Sequence, residues 1–269
     1  MEENVLFEQK WGEILRHRRR DEFSLFVPPG GTPRTQRQFN LYHYYLLIRR
    51  LTAGSGYRRS IEFGCGRGTI SLYLNRYEGM TVSLFDMSGE AVKLARANFS
   101  CHGGDGRIFI ANSARVPVDD TAYDLAFSIG LLEHLTDYER TLEEMYRVLR
   151  PGGMLISMNV PKKRSIQILN GAYRAALQIL GKDAELTPDY FRNPDTPEQF
   201  AVAASSAGFR DCRVIHANPF PLFTPVGVRT ERLLTTLYRS IMALRAVYRS
   251  LPMQSGRRLS QCHFLIAMK

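Results

Sequence analysis

The chain is short of paired cysteines, of long apolar runs and of repeats, and each absence removes a class of protein. Four cysteines, Cys65, Cys101, Cys212 and Cys262, are scattered through 269 residues with no CxxC spacing. Disulfide scaffolds and structural zinc modules space their cysteines closely, so these read as reduced thiols and no metal site is expected. No apolar stretch is long enough to span a bilayer. Met1-Glu2-Glu3-Asn4 is acidic and lacks the basic-then-apolar pattern of a secretory signal, so a cytoplasmic location is expected. Internal repeats and low-complexity tracts are missing, which sets aside solenoids and biased tails. Negative charge is the scarcer sign: 26 Asp and Glu face 36 Lys and Arg, for a net charge of +10. A basic surface favours anionic partners such as phosphorylated or carboxylated substrates, nucleic acid or a membrane face. The excess is concentrated in Arg16-His17-Arg18-Arg19-Arg20 and between Arg229 and Arg258.

What is present is a glycine-spaced turn. Ser60-Ile61-Glu62-Phe63 reads as the end of a buried strand, Gly64-Cys65-Gly66-Arg67-Gly68 as a turn, and Thr69 to Tyr77 as a helix. Glycines in such a turn let bare backbone approach a ligand, because no Cβ stands in the way. The helix N-terminus adds N–H groups and a partial positive charge. A dinucleotide-binding loop needs G-x-G-x-x-G/A. Here the third glycine, Gly68, comes one residue early and Thr69 stands in its place, which disfavours a nicotinamide dehydrogenase.

Thr81 to Phe85 is a second apolar strand ending at Asp86. An acidic residue there, about twenty residues past the loop, is placed to hold ribose hydroxyls. Met87 offers a polarisable face for a base, and Ser88 suits the N-cap of a helix over 89–98. Ile108-Phe109-Ile110-Ala111 is a third strand, followed by Asn112-Ser113. Tyr123 to Ser128 is a fourth, followed by Leu132-Glu133-His134-Leu135. Val148-Leu149-Arg150-Pro151-Gly152-Gly153 closes a helix that starts at the capping-box pattern Thr136-Asp137-Tyr138-Glu139. Pro151 cannot continue that helix and Gly152 permits a left-handed turn.

Glu62-x-Gly64-x-Gly66-x-Gly68 resembles motif I of the class I S-adenosylmethionine (SAM) methyltransferases. With Asp86, the Tyr123-Asp124 strand, Leu132-Glu133-His134-Leu135 and Val148 to Gly153, residues 60–157 are similar to the small-molecule branch that includes the ubiquinone and menaquinone methyltransferases. The resemblance is weak outside that stretch. It implies a Rossmann-like α/β fold with a seven-stranded, mostly parallel sheet, an antiparallel last strand and helices on both faces. SAM is the implied cofactor. Glu62, Gly64 and Gly66 are then expected at its methionine part, with Cys65 and Gly68 in the same loop. Asp86 is expected on the ribose, Met87, Asn112 and Ser113 around adenine, and Ser128 at the methionine end. The family often has Asp where this chain has Asn112, whose amide oxygen can still accept a hydrogen bond; a plain polar loop is an equal reading.

The implied strands lie at 60–64, 81–86, 107–111, 124–128, 153–159, 211–217 and 261–268. Residues 1–59 form an expected helical cap, with helices at 5–19 and 36–51, and 60–269 the methyltransferase domain. Within it, 160–194 is an expected acceptor lid and 218–258 a helical insert. In the insert, Leu233, Leu234, Leu237, Ile241, Leu244, Tyr248 and Leu251 share one face of a helix over 230–251. Docking of that face on the enzyme's own core is the leading expectation, with an anionic membrane or a second subunit as alternatives.

The expected acceptor is a small-molecule or lipid-like metabolite methylated on oxygen or carbon. Nitrogen ranks lower because no N-P-P-Y or D-P-P-Y follows the fourth strand. Tyr42, Tyr45, Tyr190, Phe191, Lys162 and Lys163 suit an aromatic or anionic acceptor. His134 is the candidate base, since imidazole titrates near neutrality; a role for Glu133 and His134 in shaping their loop stays open beside it. The +10 charge keeps an RNA methyltransferase as the second reading, although no RNA-binding module is recognisable and a nucleic-acid partner is not expected. A non-catalytic interaction protein on the same fold is the third.

Overall fold

The computed structural model describes residues 2–17, 24–28, 30–160, 164–181, 190–218, 220, 222–223, 226–258 and 260–269. The basic run Arg18-Arg19-Arg20, Lys162-Lys163 and residues 182–189 of the expected lid lie outside these. Seven strands are present: β1 (Arg59–Phe63), β2 (Thr81–Asp86), β3 (Gly106–Ile110), β4 (Tyr123–Ile129), β5 (Leu149–Asn159), β6 (Arg210–Ala217) and β7 (Cys262–Met268). They form one sheet in the order β3-β2-β1-β4-β5-β7-β6. β1 to β5 run parallel, and β7 lies antiparallel to both β5 and β6.

Side chains on a strand alternate between faces, and the central strands are apolar on both. Leu125 and Phe127 of β4 join one buried cluster with Phe39, Ile48, Leu72 and Ile156. Ala126 joins the other with Ile61, Phe63, Leu142 and Phe200. The helices among the described residues are α1 (Glu2–His17), α2 (Gln36–Thr52), α3 (Thr69–Glu78), α4 (Gly89–His102), α5 (Tyr138–Val148), α6 (Arg164–Ile179), α7 (Pro197–Ser206) and α8 (Val228–Tyr248), of which α3, α4, α5 and α7 pack directly on strands. Among the described residues no helix is long and apolar enough to cross a membrane. Strand order reverses between β1 and β4, so the loops at their carboxyl ends diverge and leave a crevice, the place where open α/β sheets bind ligands.

Two local expectations are corrected. α5 has its N-cap at Asp137 with no side-chain cap bond, so Glu139 falls one position short of the capping-box site. Asp137 pairs instead with Arg140 at 2.9 Å. In α8 the expected leucine-rich face docks only in part: Leu234 and Leu251 pack on the core and Ile241 is half-buried. Thr235, Tyr238 and Met242 are the buried residues, while Leu233, Leu237, Leu244 and Tyr248 are exposed. Tyr238 stacks on Phe220 at 4.5 Å and packs on Phe39 at 5.7 Å. Glu231 accepts from Gln36 N and Nε2 at 2.6 and 3.0 Å. These polar and aromatic contacts turn the helix's opposite side inward.

Candidate active site

The loop after β1 is held in a shape that only glycine enters cheaply. Gly64, Gly66 and Gly68 have φ of 64°, 51° and 65°, in the left-handed region that L side chains avoid. At Gly68 a Cβ would also lie 2.5 Å from Leu84 Cδ1, and at Gly66 it would lie 2.9 Å from the Trp11 ring. Cys65 is buried and its N–H donates to Phe85 O at 2.9 Å, which ties the loop to β2. Gly68 is the N-cap of α3 and brings no side-chain bond to the first-turn N–H groups, of which, among the described residues, only that of Ser71 is met by a side chain, Glu62. Thr69 Oγ1, buried beside them, has no hydrogen-bond partner.

Asp86 closes this cradle from the end of β2. Its carboxylate accepts from Gly66 N at 2.9 Å and Ser88 N at 3.0 Å. Burial raises its pKa above the usual carboxylate value despite those N–H donors. Glu62 lies underneath rather than in the crevice. It is fully buried and accepts from the hydroxyl and N–H of Ser71, so it pins the first turn of α3 to β1. Burial pushes its pKa up to about 8.

The expected adenine residues divide. Met87 and Ile110 are large exposed apolar side chains at the ends of β2 and β3, whose last residues, Asp86 and Ile110, are paired in register. Asn112 is exposed on the next loop and its amide oxygen accepts from Ala114 N at 2.9 Å, leaving a second lone pair. Ser113 turns to Thr141 of α5 at 2.9 Å. Ser128 is buried in the sheet, where its hydroxyl meets Ser157 at 2.8 Å.

α1 belongs to the expected helical cap, but sequence reasoning named none of the residues by which it acts. This helix packs on α4 and over the glycine loop. Glu8 accepts from Ser88 Oγ and from the N–H groups of Gly89 and Glu90, which are the open donors of the α4 N-terminus. Burial alone would raise Glu8, but the Ser88 hydroxyl and these N–H groups outweigh it and hold the carboxyl below its ordinary value. Two turns of α1 then set Phe7, Lys10 and Trp11 across the crevice. Phe7 stacks on Tyr190 at 4.8 Å and meets His134 edge-on at 5.5 Å. Lys10 Nζ lies over Trp11, Tyr190 and Phe7 at 4.6, 4.8 and 5.3 Å. Only the aromatic and basic composition of Phe7-Glu8-Gln9-Lys10-Trp11 hints at this, because its partners are some eighty residues away in the chain. Tyr42 and Tyr45 take no part. Tyr45 stacks on Tyr73 at 4.6 Å and donates to Glu78, and Tyr42 packs beside them.

His134 ends the 3₁₀ turn Leu132–His134 after β4. Its Nδ1–H donates to Phe191 O at 2.5 Å, which leaves Nε2 as an acceptor. Burial lowers its pKa to about 4, so the ring is neutral at pH 7. Glu133 is buried, accepts from Val160 N at 3.0 Å, and is pushed up to about 7 by burial. Asn193 fastens the same turn, donating to Leu132 O and Leu135 O at 2.9 and 3.1 Å.

A seven-stranded sheet of this order, with a glycine turn after β1 and an acidic residue ending β2, defines the class I methyltransferase fold. A family described as a methyltransferase domain matches residues 61–157. Residues 61–157 are thus a methyltransferase domain of the class I SAM-dependent type. It is 34% identical over 141 residues, 49% of its length, to the ubiquinone/menaquinone biosynthesis C-methyltransferase UbiE of Klebsiella pneumoniae, of which the match covers 55%. It is 29% identical over 104 residues to the ajmaline N-methyltransferase of Rauvolfia serpentina, covering 38% of this chain and 36% of that one. The matches thus span about half or less of these relatives' length. The solved structure of the YcgJ protein from Bacillus subtilis shares the fold at TM-score 0.57 and 14% identity, over 85% of this chain and 98% of that one.

SAM is the cofactor that goes with this family, and the residues present fit it. The buried Thr69 hydroxyl is unpartnered, α3 starts without a side-chain cap, and the glycines before it leave no room for a Cβ.

Proposed function

We propose that the chain transfers a methyl group from SAM to an oxygen or carbon atom of a small-molecule or lipid-like acceptor carrying an aromatic ring and a negative group. The observation that carries this reading is the mouth of the crevice, where Phe7, Trp11 and Tyr190 enclose Lys10 above Gly66. A flat acceptor finds ring faces there. Burial, with Arg67 and Arg37 nearby, lowers Lys10 to about 8, so an arriving anion relieves a crowded set of cations.

SAM supplies a methyl group already activated on a sulfonium. The protein's share is orientation and exclusion of water. The backbone of Gly64 and Gly66 and the Thr69 hydroxyl hold the methionine portion, Asp86 holds the ribose, and Met87 and Asn112 flank adenine. Glu62 and Cys65 keep the loop in shape from below. His134 presents Nε2 to an acceptor hydroxyl and orients it. A pKa near 4 makes it a weak proton acceptor, which suits a phenol or an activated carbon that releases its proton readily. Oxygen and carbon rank above nitrogen because the N-P-P-Y tetrapeptide is missing, while the ajmaline relative keeps nitrogen acceptors within the same family. Methyl-labelled SAM incubated with the protein and a metabolite extract should label a small anionic aromatic product, and Asp86→Ala should abolish it. Label recovered in RNA, or no cofactor binding by calorimetry, would sink the reading.

A further inference from the structure

Between α8 and the segment before α2 lies a second recess of about 410 Å³, lined by Arg34, Arg232 and Arg239 together with Thr32, Pro33, Thr235 and Thr236. Three arginines and three threonines, Thr235 included, are in the lining, and among the described residues no carboxylate is. The nearest acid on α8, Glu231, is already engaged by Gln36. Thr235 Oγ1 donates within α8 to Glu231 O at 2.7 Å, and Gln36 ties the start of α2 to Phe223, its Nε2 donating to Phe223 O at 2.8 Å. Arginine forks recognise phosphate oxygens in two-point fashion, so a lining of this composition suits a phosphate.

Beside it runs the apolar face of α8 that the core leaves uncovered. Leu233, Leu237, Leu244 and Val247 are 70%, 51%, 58% and 76% exposed. At about 100° per residue they fall within one arc of the helix, with Arg232 and Arg239 along its edge. An apolar stripe edged by arginines is the arrangement of a helix lying in a membrane interface, its leucines at the acyl boundary and its cations on headgroup phosphates. A soluble phosphate would use the recess and leave the stripe without purpose. A second copy of this chain would bring a like-charged recess against the first.

We propose that this face docks on an anionic phospholipid bilayer, with a lipid phosphate in the Arg34–Arg232–Arg239 recess and the α8 leucines in the interface. The site is separate from the methyl-transfer crevice and does not rest on the reading of that crevice.

The test is sedimentation of the full chain with phosphatidylglycerol-containing vesicles and with pure phosphatidylcholine vesicles. Binding is expected to the anionic vesicles, falling as salt is raised. Arg232→Ala/Arg239→Ala should lower the partition coefficient about 30-fold, and Leu237→Ser/Leu244→Ser about tenfold or more. Thermal melts equal to wild type show that these exposed-face variants fold. Absence of vesicle binding at low salt would overturn the proposal, as would equal binding to both vesicle types or indifference to both double variants. Calorimetric binding of inorganic phosphate without vesicle binding would reassign the recess to a soluble phosphate. A dimer in ultracentrifugation that Leu237→Ser/Leu244→Ser dissociates, again without vesicle binding, would reassign the stripe to a second copy.

Discussion

Substituting Gly66 by alanine separates two costs that the structure superimposes. Gly66 has φ of 51° and its missing Cβ would lie 2.9 Å from two ring atoms of Trp11. The left-handed backbone alone costs an L residue about 1–2 kcal/mol. Forcing a methyl group into the ring contact costs about 1–3 kcal/mol more. The first cost acts on the whole fold, whereas the second falls on the docking of α1. Gly54 supplies the control, because it has φ of 75° with nothing within 4 Å of its would-be Cβ. Urea unfolding should therefore report a loss of about 1–2 kcal/mol for Gly54→Ala and at least as much for Gly66→Ala. Trp11 is the sole tryptophan of the chain, so its emission reads α1 docking without interference. Gly66→Ala should shift that emission to longer wavelength as the ring is pushed into water, and Gly54→Ala should leave it unchanged. Trp11→Ala in the Gly66→Ala background should recover the contact part of the loss. An unshifted spectrum for Gly66→Ala, or an equal shift for Gly54→Ala, would refute the placement of α1 over the loop.

Asp86→Asn keeps the shape but removes the charge that accepts from Gly66 and Ser88; calorimetry should show SAM affinity at least tenfold weaker, at about 1.5–3 kcal/mol per charged hydrogen bond, and unchanged affinity would count against the ribose role. Burial pushes Glu62 up to about 8 in the folded protein from an ordinary 4.5. Its folded state holds the proton more tightly, so the stability it contributes is complete below pH 4.5 and is lost as pH rises to about 8, by at most about 1.4 kcal/mol per pH unit. Glu62→Gln should flatten the melting temperature across that window, and parallel curves for the two proteins would contradict the burial argument. His134, lowered to about 4, should leave methyl transfer without an inflection near pH 6.5; an inflection there that His134→Gln abolishes would mean that the ring titrates normally. Lys10→Gln should raise KM for an anionic acceptor more than it lowers kcat, and the opposite split would place Lys10 on the cofactor instead.

The sheet was legible because its signals are local. Apolar runs bounded by glycine or proline mark β1 to β4 within a residue or so of their observed ends. β5 opens earlier than expected, at Leu149, because Tyr123 pairs with Leu149 before Pro151-Gly152 loops out and Leu125 resumes with Met154. The glycine turn and Asp86 were legible for the same reason, since type and spacing carry their geometry. Contacts between distant segments were not. Periodicity in α8 finds an apolar stripe, but burial is decided by Phe220, Phe39 and Gln36, none of which the helix encodes. Likewise Glu8 gives no sign in sequence of the α4 N-terminus it occupies.

The pairing of β1 with β4 has a consequence for assembly. Ser60 meets Leu125 and Phe63 meets Ser128 across the middle of the sheet, so its two halves join only when segments more than sixty positions apart have found each other. Closing a loop of that size is a slow, entropically opposed step. A nascent chain that has emerged only as far as β3 holds half a sheet, with one side of β1 still bare and adhesive.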